Sequence, residues 1–136
     1  RGMQGEPIYK YMTVSPLTIG RSEPLLHAKK AMAENSIRHL PVLDGGAVVG
    51  IVSERDVEIV LAANSVGKVE DAMTKEPYIV SADAKLVRVA TEMAQHKYGC
   101  AIVLERGTVA GVFTTVDALH VLAKMLEAET APTSAH

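Results

Sequence analysis

The chain has 136 residues, 48% hydrophobic and 4% aromatic, so its core must be built mainly from aliphatic side chains. With 14 basic against 16 acidic residues and a formal net charge of -2, it has no basic footprint, which argues against nucleic acid or an anionic membrane surface as a partner. The single cysteine, Cys100, excludes an intrachain disulfide, and no secretory signal or apolar run of about 18 residues is present, which together suggest a cytoplasmic protein.

Residues 1–10 carry two glycines and a proline without periodic pattern and read as an amino-terminal tail. After Pro16, Leu17–Ile19 form a stretch short enough only for an edge strand. Ser22 is placed to cap a helix whose first turn tolerates Pro24 and whose inward stripe is Leu25, Ala28 and Met32. Leu40–Leu43, then Asp44-Gly45-Gly46, then Ala47–Val52 predict strand, tight turn and strand, apolar enough for burial on both faces. A second helix is expected from Glu54 to about Ala63.

The same order then begins again. Tyr78–Val80 follow Pro77, Asp83 stands where Ser22 stood, and the helical stripe becomes Leu86, Val89 or Ala90, and Met93. Ala101–Leu104 and Thr108–Phe113 flank Glu105-Arg106-Gly107, a last helix runs from Thr115 to about Glu129, and 130–136 read as a tail. Shifting residues 12–62 by 61 positions gives 15 identities in 51 gapless pairs, where chance gives about three or four. The unit is therefore βαββα, present twice, and the pair is the folding entity.

The strongest local pattern is G-h-h-[ST]-x-x-D, occurring as Gly50-Ile51-Val52-Ser53-Glu54-Arg55-Asp56 and as Gly111-Val112-Phe113-Thr114-Thr115-Val116-Asp117. A buried strand turns into a helix there, so free N–H groups and the positive end of the helix dipole favour an anion, while a carboxylate suits the two hydroxyls of a ribose. Ser53 with Asp56, and Thr114 with Asp117, equally describe capping boxes that satisfy the first N–H groups of each helix. Both readings stand at this point.

Each copy resembles a CBS motif, named for cystathionine beta-synthase, and the pair resembles a Bateman module. The resemblance is carried by Met12-Thr13, Ile37-Arg38-His39-Leu40-Pro41-Val42, Gly45-Gly46 and Val49 to Asp56, with their partners from Met73 to Asp117. It implies an α/β (α+β) fold in which motif 1 (12–63) and motif 2 (73–124) pack in pseudo-two-fold symmetry, with small sheets flanked by helices. It also implies a regulatory module without catalysis that binds AMP, ADP, ATP or S-adenosylmethionine in clefts between the motifs. By the same resemblance, Asp56 and Asp117 would hold ribose hydroxyls and Ser53 and Thr114 would contact ribose or phosphate. Adenine would lie among Thr18, Ile19, Ile37 and Pro41 in one cleft and among Ile79, Val80, Tyr98 and Ile102 in the other.

The copies differ in charge: the first has Arg38, His39 and Arg55 where the second has Gly99, Cys100 and Val116. Arginine grips phosphate oxygens with paired donors, so a phosphorylated nucleotide is expected to prefer the cleft holding Asp56 and Arg55. No catalytic triad is expected, because Ser53 and Asp56 have a capping role and nothing orients His27, His39, His96 or His120 as a base. No metal site is expected either, since Cys100 and the five histidines lack paired ligand spacing. The last helix, with Leu119, Val121, Leu122, Met125 and Leu126, is too apolar to stand alone, so a two-fold homodimer is expected, and a purely structural dimerisation module is the alternative function.

Overall fold

A computed structural model describes residues 5–64 and 66–130. The first copy supplies β1 (Thr13–Val14), β2 (Ile19–Gly20), α1 (Leu25–Asn35), β3 (His39–Asp44), β4 (Ala47–Ser53) and α2 (Glu54–Asn64). After a one-turn helix α3 (Val69–Ala72), the second supplies β5 (Thr74–Lys75), β6 (Ile79–Ser81), α4 (Leu86–His96), β7 (Cys100–Glu105), β8 (Thr108–Thr114) and α5 (Thr115–Thr130). The expected βαββα order is present in each half, preceded in each by a two-residue strand, β1 or β5, that the expectation lacks.

Both hairpins turn on two consecutive residues of positive φ, Gly45 (60°) with Gly46 (90°) and Arg106 (54°) with Gly107 (77°), the twist that joins adjacent antiparallel strands. β2 and β6 are edge strands, running parallel to β3 and β7. The predicted stripes are the buried faces of their helices: Leu25, Ala28 and Met32 on α1, and Leu86, Val89 and Met93 on α4.

The helix starts differ from expectation. α1 and α4 begin after Pro24 and Lys85, and neither Ser22 nor Asp83 caps them; Asp83 instead accepts a hydrogen bond from the Ser81 hydroxyl. The first helical N–H groups are taken from outside the helix, by Gly67 O on Leu25 at 2.8 Å and by Glu6 O on Leu86 at 2.8 Å. A backbone acceptor from another segment leaves no need for a side-chain cap.

Those acceptors belong to an exchange of segments between the halves. The sheet orders are β2-β3-β4-β5 and β1-β8-β7-β6, so the leading strand of each sequence copy completes the sheet of the other copy. The residues just before these strands go with them. Ile8, in a 3-10 turn over Ile8–Lys10, is fully buried with Leu86, Val89, Met93 and Phe113 of the second half, while Val69 of α3 is fully buried with Leu25, Met32 and Val57 of the first. The amino-terminal tail expected over 1–10 is thus corrected from Gly5 onward: a buried isoleucine and the bond from Leu86 N to Glu6 O fix it. Residues 1–4 and 131–136 of the expected tails lie outside the described residues.

The exchange also explains the repeated glycine of the G-h-h-[ST]-x-x-D pattern. A Cβ on Gly50 would stand 2.9 Å from Thr74 O, and one on Gly111 would collide with Thr13 O. The glycines admit the crossing strand rather than a ligand.

Candidate functional site

Two clefts form where each strand-to-helix junction faces the other motif. The turns after α1 and α4 end on left-handed residues, Ser36 (φ 54°) and Lys97 (φ 58°), which swing the next residues across to the opposite motif. The first cleft, of about 280 Å³, is bounded by Ser53 and Asp56 from motif 1 and by Thr74, Pro77, Tyr78 and Lys97 to Cys100 from motif 2. The second, of about 510 Å³, is bounded by Thr114 to Asp117 and His120 from motif 2 and by Thr13 and Ser36 to His39 from motif 1. His39 borders both.

The capping boxes are formed. Ser53 N donates to Asp56 Oδ2 at 3.2 Å and Asp56 N to Ser53 Oγ at 3.1 Å; Thr114 N donates to Asp117 Oδ2 at 2.9 Å and Asp117 N to Thr114 Oγ1 at 3.2 Å. The next N–H at each junction is also spent, Glu54 N on Arg38 O at 2.9 Å and Thr115 N on Gly99 O at 3.2 Å. The expectation of several free N–H groups for an anion is therefore corrected for Ser53, Glu54 and Asp56 and for Thr114, Thr115 and Asp117, whose N–H groups are already taken.

The side-chain cations do not fall where the sequence comparison placed them. Arg38 lines the cleft of Asp117, not that of Asp56, and its Nε lies 3.8 Å from Glu54. Arg55 is exposed on the first turn of α2 and lines neither cleft. Lys97 is the cation bordering Asp56. The charge asymmetry is real, but the crossing turns carry Arg38 to the other motif.

The first cleft has an aromatic wall. Tyr78 and Tyr98 stack with ring centroids 4.9 Å apart at 25°, and His96 stacks on the far side of the pair at 5.1 Å from Tyr98. Partial burial pushes the Tyr78 phenol above its ordinary range. Of the equivalent positions, Leu17 and Ile37, only Ile37 lines the second cleft, which therefore has no tyrosine pair. At the boundary of the clefts, burial lowers the His39 imidazole pKa against the pull of Asp56 and Asp117, and burial pushes the Cys100 thiol up to about 12.

Of the site residues expected from sequence, the first cleft gathers Ser53, Asp56, Tyr98 and His39, and the second gathers Ile37, Arg38, His39, Thr114 and Asp117. The rest are elsewhere. Ile19, Pro41 and Ile102 are buried, Ile79 and Val80 lie on the β6 edge without lining either cleft, and Thr18 borders a separate hollow with Gly46 and Gly107. Thr13, Thr74, Tyr78, Lys97, Cys100 and His120 were not expected in a site. Thr13 and Thr74 had a visible signal, their identity in the repeat, but only the strand exchange brings them to the junctions.

The family model described as CBS domain matches residues 8–62 and 69–124, beginning at the two buried residues that lead each exchanged segment. The chain is 32% identical over 105 residues to inosine-5'-monophosphate dehydrogenase of Korarchaeum cryptofilum, a match to 76% of this chain but only 22% of that enzyme. It is 30% identical over 135 residues to a CBS domain-containing protein of Dictyostelium discoideum, covering 88% of this chain and 93% of that one. Among solved structures, a putative acetoin utilization protein (AcuB) from Vibrio cholerae superposes with TM-score 0.79 at 28% identity, over 92% of this chain and 97% of its own. The CBS domain pair of protein MJ0100, in complex with 5'-methylthioadenosine and S-adenosyl-L-methionine, gives 0.76 at 24% over 88% and 97%, and CBSX2 in complex with AMP gives 0.71 at 21% over 90% and 99%. With the family model covering both copies, the chain belongs to the CBS domain family as a tandem pair, a Bateman module.

Proposed function

We propose that this module binds an adenosine-containing ligand between its two motifs and acts as a regulatory sensor rather than a catalyst. The observation that carries the reading is the pairing, in one cleft, of the Asp56 carboxylate with the stacked Tyr78 and Tyr98 rings. A carboxylate accepts from both hydroxyls of a ribose, and the Tyr78 face turned away from Tyr98 offers a surface for a purine, Tyr98 itself being stacked between Tyr78 and His96. Lys97 adds a cation for a phosphate or a carboxylate of the ligand. Relatives that carry S-adenosyl-L-methionine, 5'-methylthioadenosine or AMP support this ligand class. The cleft of about 280 Å³ is near the lower end of the range of roughly 300–1,000 Å³ usual for small-molecule sites, which favours a nucleoside or monophosphate over a longer ligand.

A ligand shared between motifs shifts the module only if it binds one arrangement of the halves better than another. Titration calorimetry with AMP, ADP, ATP, S-adenosylmethionine and methylthioadenosine tests the reading. Asp56→Glu preserves a capping side chain while displacing the carboxylate, so melting temperature should hold and affinity should fall about 10- to 100-fold, the value of roughly 1.5–3 kcal/mol of charge-assisted hydrogen bonding. Binding that survives in Asp56→Glu would reject the assignment.

Homodimerisation is the compatible second proposal, favoured by α5, where Leu119, Leu122, Met125 and Leu126 are all exposed. Leu122 and Met125 rim an almost wholly apolar groove shared with Val87 and Ala90 of α4. Sedimentation of wild type against Leu122→Glu tests it: a dimer should become a monomer, and equal masses would remove the interface from this face.

A further inference from the structure

The two junction aspartates are equivalent in sequence and unequal in what they have left to offer a ligand. A carboxylate has about four lone-pair positions, and a vicinal diol needs two of them. Asp117 has three filled: Oδ1 accepts from Thr13 Oγ1 at 2.8 Å, and Oδ2 accepts from Thr114 N at 2.9 Å and Thr114 Oγ1 at 3.1 Å. Among the described residues, Asp56 accepts one such bond, from Ser53 N at 3.2 Å to Oδ2, which leaves its Oδ1 unengaged. Thr74, the repeat partner of Thr13, lines the Asp56 cleft without bonding to that carboxylate.

We infer that each chain takes up one ribonucleoside, at Asp56, and that Thr13 is the specificity-determining residue that closes the Asp117 cleft to a second. The inference rests on the adenosine reading above and narrows it. Thr13 reaches Asp117 because β1 pairs with β8, placing Thr13 opposite Val112 in the sheet that runs directly into α5. The strand exchange thus does more than join the halves, since it delivers a hydroxyl that competes with a ribose hydroxyl for the same carboxylate oxygen. The second cleft offers Ile37, Val112 and Val116 to a base in place of the Tyr78 and Tyr98 wall, so what separates it from the first for a ribose is the occupied carboxylate.

Calorimetric titration with adenosine, an uncharged probe, reads the stoichiometry without a phosphate contribution. Wild type should bind one adenosine per chain, and Asp56→Asn should lose that binding at least tenfold. Thr13→Val keeps the β-branched shape suited to a strand and removes the hydroxyl, so it should bind two, while Thr13→Ser should stay at one. With 2'-deoxyadenosine the second site of Thr13→Val should vanish. Two adenosines per wild-type chain, or Asp56→Asn retaining half the sites, overturns the inference and leaves the adenosine reading intact. One adenosine in a Thr13→Val protein that melts like wild type also overturns it. No adenosine binding by any of the proteins removes the adenosine reading and this inference together.

Discussion

Gly50 lies against Thr74 so closely that a Cβ on the glycine would stand 2.9 Å from the threonine carbonyl oxygen and 2.6 Å from the sulfur of Met73. The same approach recurs between Gly111 and Thr13. In each case the glycine belongs to the central part of one motif and its neighbour to the segment donated by the other, so the contact measures how tightly the halves are joined. Gly50→Ala and Gly111→Ala should each destabilise by about 1–3 kcal/mol, the usual cost of forcing a methyl group into filled space. Gly111→Ala should cost more, because its nearest obstacle is backbone, whereas Met73 can partly move aside. Urea unfolding of the two variants checks this order.

The residue that leads the first donated segment should matter as much as any in the core. Ile8 is fully buried, so Ile8→Ala should cost about 2–5 kcal/mol by lost burial and a residual cavity. Tyr9, half exposed beside it, should change stability by no more than about 0.5 kcal/mol when replaced by alanine. Equal effects at the two positions would mean that this segment does not dock in solution.

These two cases mark where the sequence was legible. Period and repeat located α1, α4, both hairpins and both strand-to-helix junctions, because Leu25, Ala28 and Met32 or Gly45 and Gly46 act through local geometry. Ile8 was missed because it is a single apolar residue among Gly, Pro and polar neighbours, and nothing local announces that its partners are Leu86 and Phe113. That Arg38 lines the cleft of Asp117 is hidden from sequence for a related reason. A turn residue's reach depends on the left-handed Ser36 before it, and serine gives no sign in sequence of adopting that conformation. Tyr98 was found and Tyr78 was not, since only the packed structure brings their rings to 4.9 Å.

Cys100 is a free, buried thiol whose burial should slow its reaction. Its pKa is pushed up to about 12 chiefly by that burial. A raised acid pKa means that the unfolded chain loses its proton first as pH rises from the ordinary value of 9.0, so this group's contribution to stability is full below pH 9 and declines between there and about 12, by at most about 1.4 kcal/mol per pH unit. A maleimide or disulfide reagent at neutral pH should label the native protein far more slowly than the urea-unfolded one. Equal labelling rates would mean that the native fold does not shield the thiol.

His39 carries the opposite proton linkage. Burial lowers its pKa from the ordinary 6.5, and the attraction of Asp56 and Asp117 only partly offsets that effect, while Arg38 reinforces it. Because the unfolded chain then binds the proton more readily than the folded one, the stability from neutral His39 is complete above about pH 6.5 and is lost as pH falls from there through the folded value. A slope of up to about 1.4 kcal/mol per pH unit follows for this one group, on top of whatever the carboxylates add at lower pH. Comparing wild type with His39→Gln by urea unfolding at a series of pH values from about 7.5 to 5 isolates it, since the carboxylate background is common to both. The wild-type curve should fall away from that of the variant only below about pH 6.5; parallel curves would mean that the imidazole between the two aspartates is solvated.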